Sequence, residues 1–212
     1  MPSSVFLCHP VRTPVGTFNG SLKTIPAPKL GAIAIRESVL RANLPPDRID
    51  TAIMGQVVQA GAGMNPARQA AVGAGLPVST NAMTVNRVCG SGAQAIVSAA
   101  LEIMIDTTRC AIAGGMENMD QAPYLMPNGR WGYRLGDGKL VDSLLRDGLH
   151  DAFSSEHSGW HTEELVAKYG VTREDQDRWA LRSQLRFTEA QRAGKFDEEI
   201  VAVEEPGKKG PV

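Results

Sequence analysis

The chain reads as an α/β fold, a mostly parallel sheet covered by helices. Three observations carry this reading. Short apolar runs at 4–8, 51–58, 82–86 and 109–113 alternate with stretches of helical periodicity. A Cys-Gly-Ser-Gly segment, Cys89 to Gly92, stands between the third run and an apolar helical stretch. After Met119 the texture changes to Gly, Pro, Asp and Asn with little periodicity.

Each element has its own local reason. Residues 4–8 are apolar and short enough for a strand. Residues 28–41 carry Leu30, Ile33, Ala34 and Leu40 at helical spacing, and Pro45-Pro46 forbids continuation. Residues 51–58 read as a second strand. Gly61-Ala62-Gly63 lacks the full dinucleotide fingerprint and reads as a turn. Asn65-Pro66 opens a short helix, because Asn caps and Pro suits the first helical position. Residues 82–86 form a third strand. The helix over 93–105 has only Gln94, Ser98 and Glu102 as polar residues, which predicts burial on all sides. Residues 109–113 make a fourth strand, ended by Gly114-Gly115. Thr172 to Asp175 has a capping-box pattern, predicting a helix to Ala193 with Gly194 just beyond its end. Residues 199–203 suit a strand, and 206–212 a loop.

Composition bounds the function. The 212 residues are 42% hydrophobic and 21% charged, ordinary for a globular domain with a sizeable core. No apolar run approaches the ~18–20 residues of a membrane span. The net charge of -1 does not suit a general nucleic-acid binder. Residues 1–100 hold eight basic and three acidic groups, and residues 101–212 hold fourteen and twenty. The asymmetry suggests a boundary near the middle, or two faces of one body. Cys8, Cys89 and Cys110 form no paired framework, and the opening residues lack a basic region. Both features point to a reducing, cytoplasmic setting.

Cys89 is the leading chemical candidate. At a strand-to-helix junction it would meet unpaired N–H groups and the positive end of a helix dipole, which favour a thiolate. Those N–H groups could also hold an oxyanion. The alternative is a small buried hydrophobe, as most free cysteines are. Cys8 and Cys110, flanked by apolar residues, read as buried and inert. His157 and His161 could share a helix face as a metal pair, but there is no His-Glu-x-x-His pattern and Gly159 between them favours a loop with one polar contact. Glu117 reads as a base or as a carboxyl group that holds a loop.

Taken together, the motifs resemble those of the thiolases. The segments are Arg12 to Gly16, Asn65 to Ala70, Asn86 to Gly92, Gly114 to Met119, Asp147 to Leu149 with Asp151 to Phe153 and His157, and Gly194 to Val201. They fall in family order along essentially the whole chain, nearest to acetyl-CoA acetyltransferase-like members. The resemblance implies a thiolase-like N-terminal half: an α/β domain over 1–119, lacking its last strand, and an inserted, α-rich loop domain over 120–212, cut short. Cys89 would carry an acyl group, while Leu149 and His157 would line the coenzyme A site. Coenzyme A thioesters would be substrates, with no cofactor and no metal. The reaction would condense two acetyl-CoA to acetoacetyl-CoA, or thiolyse a 3-ketoacyl-CoA in fatty acid metabolism.

The resemblance also implies that the catalytic histidine, a second cysteine and an asparagine belong to the family's other half. The expectations are therefore a chain not competent alone, a possible complementing C-terminal half, and a homodimer or homotetramer for the full enzyme. Ser158, His161 and Glu164 depart from the family's usual residues. Three other readings remain: a ketoacyl synthase-like condensing enzyme, a catalytically dead fragment acting as a dimerising or interaction module, and a cysteine hydrolase.

Overall fold

The computed structural model describes residues 4–204. Its centre is a three-stranded parallel sheet of β1 (Thr51–Gly55), β2 (Asn81–Val85) and β3 (Ala111–Gly115), in the order β2-β1-β3. Thr51 pairs with Asn81 on one side and Ala111 on the other, and Gly55 pairs with Val85 and Gly115. All five residues of β1 are buried, as a central strand covered on both faces requires.

Side chains alternate across that strand and supply two cores. Ala52 and Met54 point to one face, where helices α1 (Ala27–Arg41) and α2 (Pro66–Ala74) bring Ile35, Val39, Ala67, Ala70 and Ala71. Ile53, 0% exposed, points to the other face and meets Ala95 and Ala99 of α3 (Ser91–Met104). Burying an isoleucine fully stabilises by about 1.5–3 kcal/mol. The fold is therefore a helix layer on each side of one sheet.

Helix α1 does not bury Leu40, one of the four residues that its helical spacing marks. Ala27, Pro28, Gly31, Ala32, Ile35 and Val39 face inward with Leu30, whereas Leu40 is exposed. The small residues on the buried face let α1 lie close on α2: a Cβ on Gly31 would stand 3.3 Å from the Ala70 Cβ. Asn65 caps α2 as expected, and Gly75 ends it in the left-handed conformation.

Five expectations need correction. Residues 4–8 form no strand, and Phe6 is 80% exposed. A strand needs a neighbour for its ladder, and among the described residues no strand pairs with this segment; the next residue, His9, is held on α1, its carbonyl accepting from Ser38 Oγ at 2.9 Å. Cys8 is consequently exposed rather than buried. The glycine pair does not end the fourth apolar run; β3 continues through Gly115. Helix α3 is not buried on all sides. Ser91, Ala95 and Ala99 face the sheet, while Val97, Leu101 and Met104 are exposed, because one sheet covers one side of a helix.

The 199–203 segment makes a single parallel bridge, Arg12 to Ile200, in place of a strand. Arg12 N–H donates to the Glu199 carbonyl and Val201 N–H to the Arg12 carbonyl, both at 2.8 Å. Val203 is fully buried against Leu22, Ile25 and Leu30. The 206–212 segment lies outside the described residues.

Between Met119 and Leu145 the chain is mainly irregular, with a two-residue ribbon of β4 (Tyr124–Leu125) and β5 (Val141–Asp142). A wide helical turn over Leu145–Leu149 follows, closed by the His150 N–H donating to the Leu145 carbonyl at 2.7 Å. Helix α4 (Ser158–Tyr169) was not anticipated, since Gly159 lies in its first turn. Helix α5 (Arg173–Arg192) begins on the Thr172–Asp175 capping box and is followed by Gly194 with φ +66°. Among the described residues, no helix is long and apolar enough to cross a membrane.

Candidate active site

The carboxyl ends of the three parallel strands meet the N-terminus of α3. Backbone lies on backbone here, which only glycine permits. A Cβ on Gly55 would stand 2.5 Å from the Ser91 carbonyl carbon, and one on Gly115 would stand 3.2 Å from Gly92 Cα.

The turn from β2 into α3 holds Cys89. Asn86 Oδ1 accepts the Val88 N–H at 2.9 Å, forming a tight Asx-type turn. Ser91 Oγ accepts the Arg87 N–H at 2.8 Å and donates to the Val88 carbonyl at 2.6 Å. These bonds hold Val88 at φ +49°, a conformation that β-branched residues rarely adopt. The result presents the Cys89 thiol to solvent, so the buried-hydrophobe alternative does not hold. No side chain caps the N-terminus of α3. The Ser91 N–H donates to the Val88 carbonyl at 3.0 Å, so among the described residues the N–H groups left for an acceptor at this helix start are those of Gly92 and Ala93.

A loop after β1 forms the adjacent wall. Glu117, just beyond β3, accepts the Val57 N–H at 2.8 Å and the Val58 N–H at 3.2 Å, both on Oε2. It holds a loop, as one of its two sequence readings proposed. Asn86 Nδ2 donates to the Val57 carbonyl at 3.3 Å, tying this loop to the Cys89 turn. Asn118 Nδ2 donates to the carbonyls of Ile25 at 2.7 Å and Leu22 at 3.0 Å, fixing the chain before α1.

Leu149 and His157 come together on the far side of that loop. Leu149 ends the wide turn and is half-buried. The next residue, His150, forms an antiparallel bridge with His157, and the two rings meet edge to face at 5.8 Å. Gly148 abuts Val58, since a Cβ there would lie 3.6 Å from Val58 Cγ2. Among the described residues, neither Leu149 nor His157 hydrogen-bonds Cys89; Val57 and Val58 stand between the two regions.

His157 caps α4, its Nδ1 accepting the Gly159 N–H at 2.9 Å. His161 lies within α4, with Nε2 at 3.1 Å from Ser154 Oγ and Nδ1 at 3.8 Å from Glu164 Oε2. The two histidines therefore do not present one helical face. Cys110 is half-buried, and its thiol is pushed up in pKa by burial first and by the Asp50 charge second.

The fold and this junction define an α/β protein whose exposed thiol sits at the start of a sheet-backed helix. The chain belongs to the thiolase family: residues 5–211 match the family's N-terminal domain. It is 50% identical over 208 residues to an acetyl-CoA acetyltransferase of Cupriavidus necator, covering 98% of this chain and 53% of that relative. It is 48% identical to an acetyl-CoA acetyltransferase of Pseudomonas aeruginosa, over 97% of this chain and 52% of the relative. A probable acetyl-CoA acyltransferase of Staphylococcus aureus is 46% identical, with the same shares covered. The chain spans about half the length of these curated relatives.

Proposed function

We propose that this chain supplies the acyl-accepting part of a thiolase-type acyltransferase, with Cys89 as the acyl carrier. The observation that carries the reading is an exposed thiol beside the uncapped N-terminus of α3, in a chain of this family. The Cys89 sulfur attacks the thioester carbonyl of an acyl-CoA. The carbonyl oxygen gains negative charge, which N–H groups at the helix start stabilise. The bond to the coenzyme A sulfur then breaks, and coenzyme A leaves as a thiol with the proton that Cys89 gave up.

In the condensing direction, a second acetyl-CoA loses an α-proton and its carbon attacks the acyl-cysteine. A C–C bond forms, the acyl bond to the Cys89 sulfur breaks, acetoacetyl-CoA leaves, and the sulfur takes up the equivalent of the α-proton, which restores the thiol. In the reverse direction, coenzyme A cleaves a 3-ketoacyl-CoA. Leu149 and His157 flank the thioester's coenzyme A portion. No cofactor enters these steps. The exposed apolar face of α3 supports a further polypeptide as partner, either a second copy or a complementing C-terminal half.

The test is intact mass of the purified chain after incubation with acetyl-CoA, beside Cys89→Ala. One acetyl adduct in the parent chain, absent from the variant, is expected. A folded parent chain that acquires no adduct, with or without a supplied second half, counts against Cys89 as carrier.

A further inference from the structure

Glu117 occupies an unusual mechanical position. Its Oε2 holds two consecutive N–H groups, those of Val57 and Val58. Its Oε1 is buried and has no partner among the described residues. The carboxyl group's polar contacts are thus all on this one loop, and burying the second oxygen has a cost that those two bonds must offset.

The loop it holds touches both parts of the proposed site. The Val57 carbonyl accepts from Asn86, whose other amide atom sets Val88, the residue before Cys89. The Val58 side chain abuts Gly148, the residue before Leu149. Gln56 braces the same stretch, donating from Nε2 to the Val58 carbonyl at 3.3 Å.

We infer that Glu117 is a positioning residue that sets the Cys89 turn and the Leu149 turn relative to each other through Val57 and Val58. The inference rests on the reading of Cys89 as acyl carrier. Glu117 contacts neither the thiol nor substrate; it acts through the loop. Removing its acceptor frees two N–H groups, lets the Val57 carbonyl shift and releases Asn86. A displacement of about 1 Å at a reacting atom can cost up to ~100-fold in rate.

The test is a double-variant cycle on the full chain with Glu117→Ala, Asn86→Ala and both together, plus Glu117→Gln. Two rates are read at Cys89: acetylation by acetyl-CoA and alkylation by iodoacetamide. Urea midpoints are recorded in parallel. Glu117→Ala should slow acetylation about tenfold. The double variant should be no slower than the slower single one, because both changes break one linkage. Glu117→Gln should restore the rate to within about twofold, since its amide oxygen can accept the same two N–H groups.

Multiplicative losses in the double variant, an unchanged rate in Glu117→Ala, or no restoration by Gln would each overturn the inference. If Glu117→Ala does not fold, Glu117→Met, which keeps volume without an acceptor, takes its place in the cycle. If the folded parent chain is not acetylated even with a supplied second half, the acyl-carrier reading fails. The alkylation cycle then still decides the positioning role on its own.

Discussion

Asn65 and Thr84, nineteen residues apart, share one hydrogen-bonded junction between a helix cap and a strand. Thr84 Oγ1 donates to Asn65 Oδ1 at 2.9 Å and accepts the Ala67 N–H at 2.9 Å. Asn65 Oδ1 also accepts the Arg68 N–H at 3.2 Å, while its Nδ2 donates to the Ala82 carbonyl at 3.0 Å. Every heteroatom of the Asn65 side chain is used, and the residue sits at φ +46°. The start of α2 is thereby fastened to β2, the strand that leads into the Cys89 turn.

Replacing Asn65 by Ala should therefore cost more than an ordinary cap. Loss of a cap typically costs about 0.5–2 kcal/mol, and the left-handed backbone adds a penalty for Ala. We expect destabilisation of about 2 kcal/mol by urea unfolding, with Asn65→Gly less affected because Gly tolerates the backbone. Equal losses in the two variants would show that the positive φ contributes nothing.

Gly55 should tolerate no side chain. It ends β1 against the first turn of α3, and an added Cβ meets Ser91 and Gly92 backbone rather than a movable side-chain tip. Overpacking of this kind costs about 1–3 kcal/mol. Gly55→Ala should also displace the α3 N-terminus and slow Cys89 acylation, which the intact-mass time course reads directly. Gly75→Ala is the contrast: it has open space but φ +97°, so stability should fall with little change in that rate.

The legible parts of the fold are those fixed by local chemistry. The Asn65-Pro66 start, the Thr172 to Asp175 box and the Gly194 stop depend on neighbours within a few residues. The apolar run at 4–8 suits a strand, but pairing needs a partner that no local pattern supplies. The exposure of Leu40 is not legible in the spacing of α1, because Gly31 and Ala32 gain contact by being small, which hydrophobic spacing does not register. Helix α4 was hidden by Gly159, a poor helix former in its first turn. At the candidate site, Cys89 stood out by its glycines. The link from Glu117 to Val57 spans sixty residues and could not be read from spacing.

The three cysteines should separate by reactivity. Cys8 and Cys89 are exposed, whereas Cys110 is half-buried with its thiol held protonated by burial and by the Asp50 charge. A protonated thiol is a poor nucleophile. Peptide mapping after limited iodoacetamide treatment at neutral pH should find Cys110 modified last. Its rate should gain most from Asp50→Asn, since removing that charge lowers the Cys110 pKa. Modification of Cys110 ahead of Cys8 would contradict the burial assignment.

Asp50 gives the clearest pH prediction. Its Oδ2 accepts the Arg109 N–H at 2.8 Å and the Cys110 N–H at 3.2 Å, joining the turn before β1 to the start of β3. These two backbone bonds, Arg109 first, favour the ionised form and hold its pKa below the ordinary carboxylate range. The unfolded chain then binds more protons than the folded one as pH falls through the ordinary Asp value of about 3.9. The stabilisation is fully present above that value and is lost as pH falls through the lowered folded one. Asp151 and Asp175, also lowered by hydrogen bonds from Ser154 and Thr172 respectively, act in the same direction and window. Urea midpoints between about pH 6 and 2 should fall less steeply for Asp50→Asn than for the parent chain, the two curves converging at the acid end. Parallel curves across the whole range would mean that the Asp50 charge adds nothing to the attachment of β3.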